Sequence, residues 1–203
     1  MNHVVLDGEK ISPSKIVCIG RNYVAHIQEL GNELPEQMVV FGKPNSAIGN
    51  TLYAELGGEP LHYEGEIALL IKNGSPAAVG FGLDLTKRHL QNKLKEKGLP
   101  WERAKAFDGA ALFSAFASIE TTDGLSLQLH VDNALRQSGG VELMMYSPRA
   151  IVEQLKLFTT LEDGDIVMTG TPAGVGQVKS GERFEGRILQ AGQLVTSNYW
   201  LAN

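Results

Sequence analysis

Two glutamates one residue apart, Glu64 and Glu66, interrupt the otherwise apolar run LHYEGEIALLI at residues 61–71. In an extended strand side chains alternate, so Leu61, Tyr63, Gly65, Ile67, Leu69 and Ile71 face one way. His62, Glu64, Glu66 and Ala68 face the other. The two carboxylates therefore leave the same side of a sheet about 7 Å apart at the backbone, within reach of one cation. A strand with one wet face reads the same way. A third acid, Asp84 in GFGLDLTKRHLQ, sits where a strand gives way to a helix. From there a side chain either projects into a site or caps the helix. Together the three acids offer hard oxygen ligands and no thiolate, a set suited to Mg2+ or Mn2+ rather than zinc. Without a cation they would repel one another and raise their own pKa values. His62 shares the face as a neighbour rather than a ligand.

A second constellation lies in GRNYVAHIQE, residues 20–29. His26 and Glu29 are three apart, so on a helix they share a face and can pair. A carboxylate that orients a histidine makes a general base able to activate water; an exposed, unremarkable pair is the competing reading. Arg21, just before that helix, is placed to contact an anion or to form a salt bridge. Lys105, in WERAKAFDG, stands in a fairly apolar stretch. It either buries its stem beneath an exposed amine or sets a cation over a carboxylate or enolate. In DGDIVMTGTPAGVGQV a strand runs into a glycine-rich loop without phosphate-loop or dinucleotide spacing. Thr169, Gly170 and Thr171 there can cradle a carboxylate or form a plain turn.

The elements that must position these groups are mostly strands. HVVLDG, KIVCIG, MVVFGKP, EIALLIK, AAVGFGLDL, LSLQLHVD, DIVMTG and QLVTSNYW read as strands separated by Gly, Pro, Asn or Asp. Three helices are expected. One covers 22–31 and closes at Gly31. A second covers 86–98, capped by Asp84 or Thr86 and ended at Gly98. The third covers 147–158, with Ser147 as cap and Pro148 in first position. This pattern gives an α+β fold dominated by sheet, and 203 residues suit one domain, 1–203. A net charge of −5 without a basic block offers no footprint for nucleic acid. No signal-like or membrane-length apolar run is present, so the expected location is cytoplasmic and no membrane partner is expected. The one cysteine, Cys18, lies in IVCIG and reads as a buried structural thiol.

Taken in order, IGRNYVAHIQELGNELP, VVFGKPNSAI, LHYEGEIALLI, GFGLDLTKRHLQ, GLPWERAKAFD and DIVMTGTPAGVG resemble the fumarylacetoacetate hydrolase family. The likeness is to its single-domain acylpyruvase and oxaloacetate decarboxylase members, from about Ile16 to Val195. It implies a mixed β-roll, a homodimer and a small 2-oxo acid substrate. It implies Mg2+ or Mn2+ on Glu64, Glu66 and Asp84, and a His26–Glu29 dyad carried on a lid at 22–36. It further implies that Lys105 takes part in catalysis and that Arg88, Gln91 and Thr171, with Arg21, contact substrate. Two departures stand out: His89 follows Arg88 where the family often has aspartate, and a bulky apolar GAALFSAF replaces a proline-containing segment. The expected reaction is hydrolysis of the C3–C4 bond of an acylpyruvate, pyruvate leaving as its enolate. Oxaloacetate decarboxylation or keto–enol tautomerisation at the same site is the alternative. A non-catalytic binding module is disfavoured because no ligand or base is missing.

Overall fold

The apolar stretches IVCI and IALLI are continuous because both belong to strands covered on two sides. In the computed structural model, which describes residues 1–29 and 35–203, strands outnumber helices. The strands that position the site are β1 (Lys15–Gly20), β2 (Val39–Pro44), β3 (Gly65–Lys72), β4 (Ser75–Asp84), β5 (Ala111–Phe113) and β6 (Ala117–Ser118). They are followed by β7 (Leu125–Val131), β8 (Ala134–Gly140), β9 (Ile166–Met168), β10 (Arg183–Gln190) and β11 (Gln193–Leu201). The first sheet runs β5-β4-β3-β9-β1-β2, with β6 also paired to β4. Its β9–β1 pair is parallel, Ile166 opposite Ile16, and its other pairs are antiparallel. The second sheet, β8-β7-β10-β11, is antiparallel throughout. The result is the sheet-dominated α+β fold, a curled mixed β-roll, that the sequence leads one to expect.

The larger core fills the space between the sheets. Val17, Ile19, Ile67, Leu69 and Ile71 pack there with Leu125, Leu127, Leu129, Phe184 and Ile188. The alternate residues Ile16, Cys18, Ala68, Leu70, Ile166 and Met168 form a second core on the back of the first sheet, against Val4 and Phe116. This overturns the wet-face reading of 61–71: from Gly65 to Ile71 every residue is buried. The Cys18 thiol is wholly enclosed, and burial pushes it up from its usual range.

Four α-helices are present among the described residues: α1 (Val24–Glu29), α2 (Arg88–Glu96), α3 (Glu102–Lys105) and α4 (Pro148–Leu155). The expected end of α1 at Gly31 lies outside the described residues, as does 30–34 of the expected lid. α4 begins as its sequence dictates, Ser147 Oγ accepting from the Ala150 amide at 3.3 Å with Pro148 following. α2 does not. Its cap position is Lys87, with no side-chain capping bond, because Asp84 turns into the interior and the Thr86 hydroxyl accepts a bond from Lys105. β8 and β10 escaped the sequence reading, since one face of each is solvated and neither forms an apolar run.

Where β10 packs against β4, it needs a glycine. A Cβ at Gly186 would overlap the Phe81 ring of β4. Gly186→Ala is therefore expected to cost about 1–3 kcal/mol through overpacking, read as a lower urea midpoint with an unchanged slope.

Candidate functional site

Neighbouring strands β3 and β4 deliver the acids. Gly65 lies opposite Leu83 in their register, so Glu64, Glu66 and Asp84 meet at one end of the pair. The Asp84 amide donates to the Glu64 carbonyl at 2.8 Å, continuing the ladder past the strand end. All three are buried, with one carboxylate oxygen of each within 4.8 Å of the others. Such crowding in low dielectric demands positive charge.

That charge arrives from three elements. Lys105, at the end of α3 and 2% exposed, donates to Glu64 Oε2 at 2.8 Å, Asp84 Oδ2 at 2.7 Å and Thr86 Oγ1 at 2.7 Å. Arg88, the first residue of α2, pairs with Glu64 Oε1 and donates to Gln91 Oε1 at 2.7 Å. The buried Lys43 of β2 brings its ammonium to 2.8 Å from Asp84 Oδ1 and donates to the Lys105 carbonyl. Its approach to Asp84 lies off the hydrogen-bonding direction, so Oδ1 is enclosed yet accepts no hydrogen bond.

The acids are not equivalent. Burial pushes the Glu64 carboxyl up, but Lys105 and Arg88 together hold it well below the usual carboxylate range. Glu66 has no such cation: burial, then Asp84 and Glu64, hold its carboxyl well above that range. The Gly170 amide, donating to Glu66 Oε2 at 2.7 Å, offsets this in part. Burial alone would lower the Lys105 ammonium; Asp84 and Glu64 hold it above its ordinary value.

The glycine-rich loop does cradle a carboxylate, and that carboxylate is Glu66. Gly170 adopts φ +98°, and a Cβ there would stand 2.8 Å from Asn22 Cβ, so only glycine turns its amide to the acid. Thr169 Oγ1 donates to the Ile67 carbonyl at 2.9 Å and Thr171 Oγ1 to the Gly65 carbonyl at 2.8 Å. Gln137 of β8 closes the network. Its Oε1 accepts from the Gly65 amide at 2.8 Å, and its Nε2 donates to Thr171 Oγ1 at 2.8 Å and the Pro172 carbonyl at 2.9 Å.

Across the same cavity stands the dyad. His26 Nδ1 is 3.2 Å from Glu29 Oε2, and the Glu29 carboxylate accepts from the Gly174 amide at 3.0 and 3.1 Å. His26 is buried, against the exposed-pair reading, while Glu29 remains exposed. Asn22 holds the start of α1: Nδ2 donates to the Thr169 and Tyr146 carbonyls at 2.8 and 3.0 Å, and Oδ1 accepts from the Tyr146 amide at 2.8 Å.

A small cavity of about 40 Å³ brings these groups together. Arg21, His26, Glu64, Glu66, Asp84, Arg88, Gln91, Lys105 and Thr171 line it. Glu29 lies in an adjoining cleft with His62, Arg88 and Lys95. Arg21 reaches the wall from a left-handed backbone, φ +56°, uncommon for a residue with a Cβ. His89 is exposed and Leu112 belongs to the core, so neither sequence departure falls on the cavity wall. Lys43, Gln137, Lys95 and Trp101 were not anticipated. Lys43 and Trp101 lie in the motifs VVFGKPNSAI and GLPWERAKAFD, but nothing in either motif marked them as site residues.

The donor set fits a hard divalent cation. It is all carboxylate oxygen, converging, and includes a buried oxygen without a hydrogen bond. Such an ion would compete with Lys105 for Glu64 and Asp84.

Residues 15–198 match the family described as fumarylacetoacetate (FAA) hydrolase, C-terminal. Over 225 residues the chain is 35% identical to the oxaloacetate tautomerase FMP41, mitochondrial, of Saccharomyces cerevisiae, covering 87% of each. It is 36% identical over 200 residues to the oxaloacetate tautomerase YcgM of Escherichia coli, covering 87% of this chain and 90% of that one. The crystal structure of fumarylpyruvate hydrolase from Pseudomonas aeruginosa, in complex with Mn2+ and pyruvate, matches with a TM-score of 0.87 at 29% identity. That likeness covers 100% of this chain and 96% of the other.

Gln137 ties the loop to the backbone between the two glutamates, so Gln137→Leu strands the Gly65 amide in the interior. A loss of about 1–3 kcal/mol in urea unfolding is expected, the cost of a buried unsatisfied donor. Gln137→Glu, which keeps the acceptor for Gly65 but not the donor to Thr171 and Pro172, is expected to lower stability as well.

Proposed function

The chain belongs to the fumarylacetoacetate hydrolase family, and we propose that it is a divalent-metal-dependent enzyme of short 2-oxo acids, catalysing keto–enol tautomerisation of oxaloacetate. One observation carries the reading: a buried histidine, oriented by a carboxylate, faces three clustered acids and a buried ammonium across a single cavity. Mg2+ or Mn2+ on Glu64, Glu66 and Asp84 would supply Lewis-acid stabilisation to the enolate of the substrate.

The side chains account for the rest. Glu29 accepts at Nδ1, so the neutral imidazole of His26 carries its proton there and keeps the Nε2 lone pair as the base. Tautomerisation moves one proton. His26 Nε2 takes it from C3, the C–H electron pair becomes the C2–C3 double bond, and the imidazolium returns the proton to the C2 oxygen. Lys105 is held firmly as an ammonium by its acids, which makes it a poor proton donor and a steady positive charge beside the enolate. Gln91 and Arg88, bonded to each other, present a fixed polar wall against which the substrate carboxylate orients.

Tautomerisation needs no attacking water, and the curated relatives named for it cover most of the chain. The order is thus the reverse of the sequence expectation, in which hydrolysis came first. Cleavage of the C–C bond of acylpyruvates remains the second reading. It is favoured by the same dyad, which can activate water, and by likeness to a fumarylpyruvate hydrolase. Decarboxylation asks least of the dyad.

Glu29→Ala is expected to slow oxaloacetate tautomerisation by about 10²-fold or more at saturating Mg2+, the scale of general-base catalysis. Loss of enol absorbance measures it. An undiminished rate would remove the dyad from the mechanism, and a defect confined to acylpyruvate cleavage would put hydrolysis in its place.

Glu66 must shed its proton to ligate a cation, and its carboxyl lies well above the usual range. Mn2+ binding is therefore expected to release protons and to weaken as pH falls. Calorimetry in buffers of different ionisation enthalpy reads the release directly; binding without it contradicts the ligand assignment.

A further inference from the structure

The C-terminal half of α2 carries Lys93 and Lys95, with Lys97 just beyond, and they are not alike. Lys93 and Lys97 are exposed, whereas Lys95 is half-buried. Helical spacing explains the difference. Arg88, Gln91 and Lys95 stand at i, i+3 and i+7 and share one face, and all three line the cavity of the acids. Arg88 is engaged by Glu64 and Gln91. Lys95 forms no ion pair with any described residue; its ammonium stands 5.1 Å from the centroid of the Trp101 ring, itself part of the cavity wall. Seven residues of helix separate Lys95 from Arg88 by about 10 Å at the backbone. The cavity thus has an acid end, beside Arg88 and Lys105, and a cationic far end where Lys95 opens onto the adjoining cleft.

We infer that Lys95 is a specificity residue, recognising the distal carboxylate of a dicarboxylic 2-oxo acid whose 2-oxo acid end lies at Glu64, Glu66 and Asp84. A half-buried ammonium on an aromatic face, without a carboxylate partner among the described residues, gains most from an anion that enters with the substrate. Burial, then Arg88 and Arg21, push this ammonium down to about 8, the behaviour of a cation short of negative charge. The inference rests on the proposed position of the 2-oxo acid end and not on which reaction follows.

Binding tests it without turnover. With Mg2+-loaded protein, calorimetry would compare malate with lactate, which share a 2-hydroxy acid end and differ in the distal carboxylate, and with oxalate, too short to reach Lys95. The wild-type protein is expected to prefer malate to lactate. Lys95→Met should weaken malate about tenfold, the loss of one ion pair at about 1.4 kcal/mol, and leave lactate, oxalate and the thermal midpoint unchanged. Lys95→Arg should retain the preference. Absence of a malate preference in the wild type, or equal weakening of malate and lactate by Lys95→Met, overturns it; equal weakening would make Lys95 only a prop for Trp101. In turnover, KM for oxaloacetate should rise about tenfold in Lys95→Met with kcat preserved. If malate binding behaves as expected but oxaloacetate is not tautomerised, the recognition stands and the proposed reaction falls.

Discussion

Glu64, Glu66 and Asp84 face one another inside the protein, and three carboxylates so close repel unless positive charge stands among them. Lys105 is the cation that reaches two of the acids at once, and it does so while almost wholly buried. Removing one partner from such a cluster leaves an uncompensated interior charge, costlier than any surface ion pair. The helices and strands that bring Lys105, Arg88 and Lys43 to the acids are therefore held in place by the same attraction that they satisfy. α3 is only four residues long, and its last residue is Lys105.

The compensation is uneven, and the unevenness leaves room for the proposed cation. Glu64 is doubly paired and stays ionised. Asp84 keeps one buried oxygen that meets the Lys43 ammonium at 2.8 Å but accepts no hydrogen bond. Glu66 has a backbone amide and no ammonium, so its charge is the least supported of the three. A cluster neutralised evenly would offer a cation nothing to gain. This one leaves carboxylate oxygen under-satisfied on two of its members.

The scaffold couples the two sides of the chemistry. The loop from Thr169 to Gly174 touches both: Gly170 holds Glu66, and Gly174 holds Glu29 of the dyad. Gln137 fastens that loop to the backbone between the glutamates, linking the second sheet to the first. A histidine–glutamate pair and an acid cluster fixed to one loop keep their separation when the rest of the molecule fluctuates, which is what the proposed proton transfer needs.

Local periodicity made much of this legible in the sequence. The alternation around Gly65 put both glutamates on one side of a strand, the three-residue spacing paired His26 with Glu29, and Ser147-Pro148 started a helix as written. These patterns involve neighbours, whose geometry the chain itself dictates. What only the tertiary structure decided involves distance. β3 is buried on both faces because a second sheet covers one and the N-terminal segment helps cover the other. Asp84 left the helix-capping role because Lys105, 21 residues on, outcompetes a solvated helix end for its charge. Lys43, Gln137 and Lys95 are ordinary polar residues in the sequence; their surroundings come from segments far along the chain. Burial strengthens an electrostatic contact by excluding water, and burial is a property of the packed fold rather than of any short run of residues.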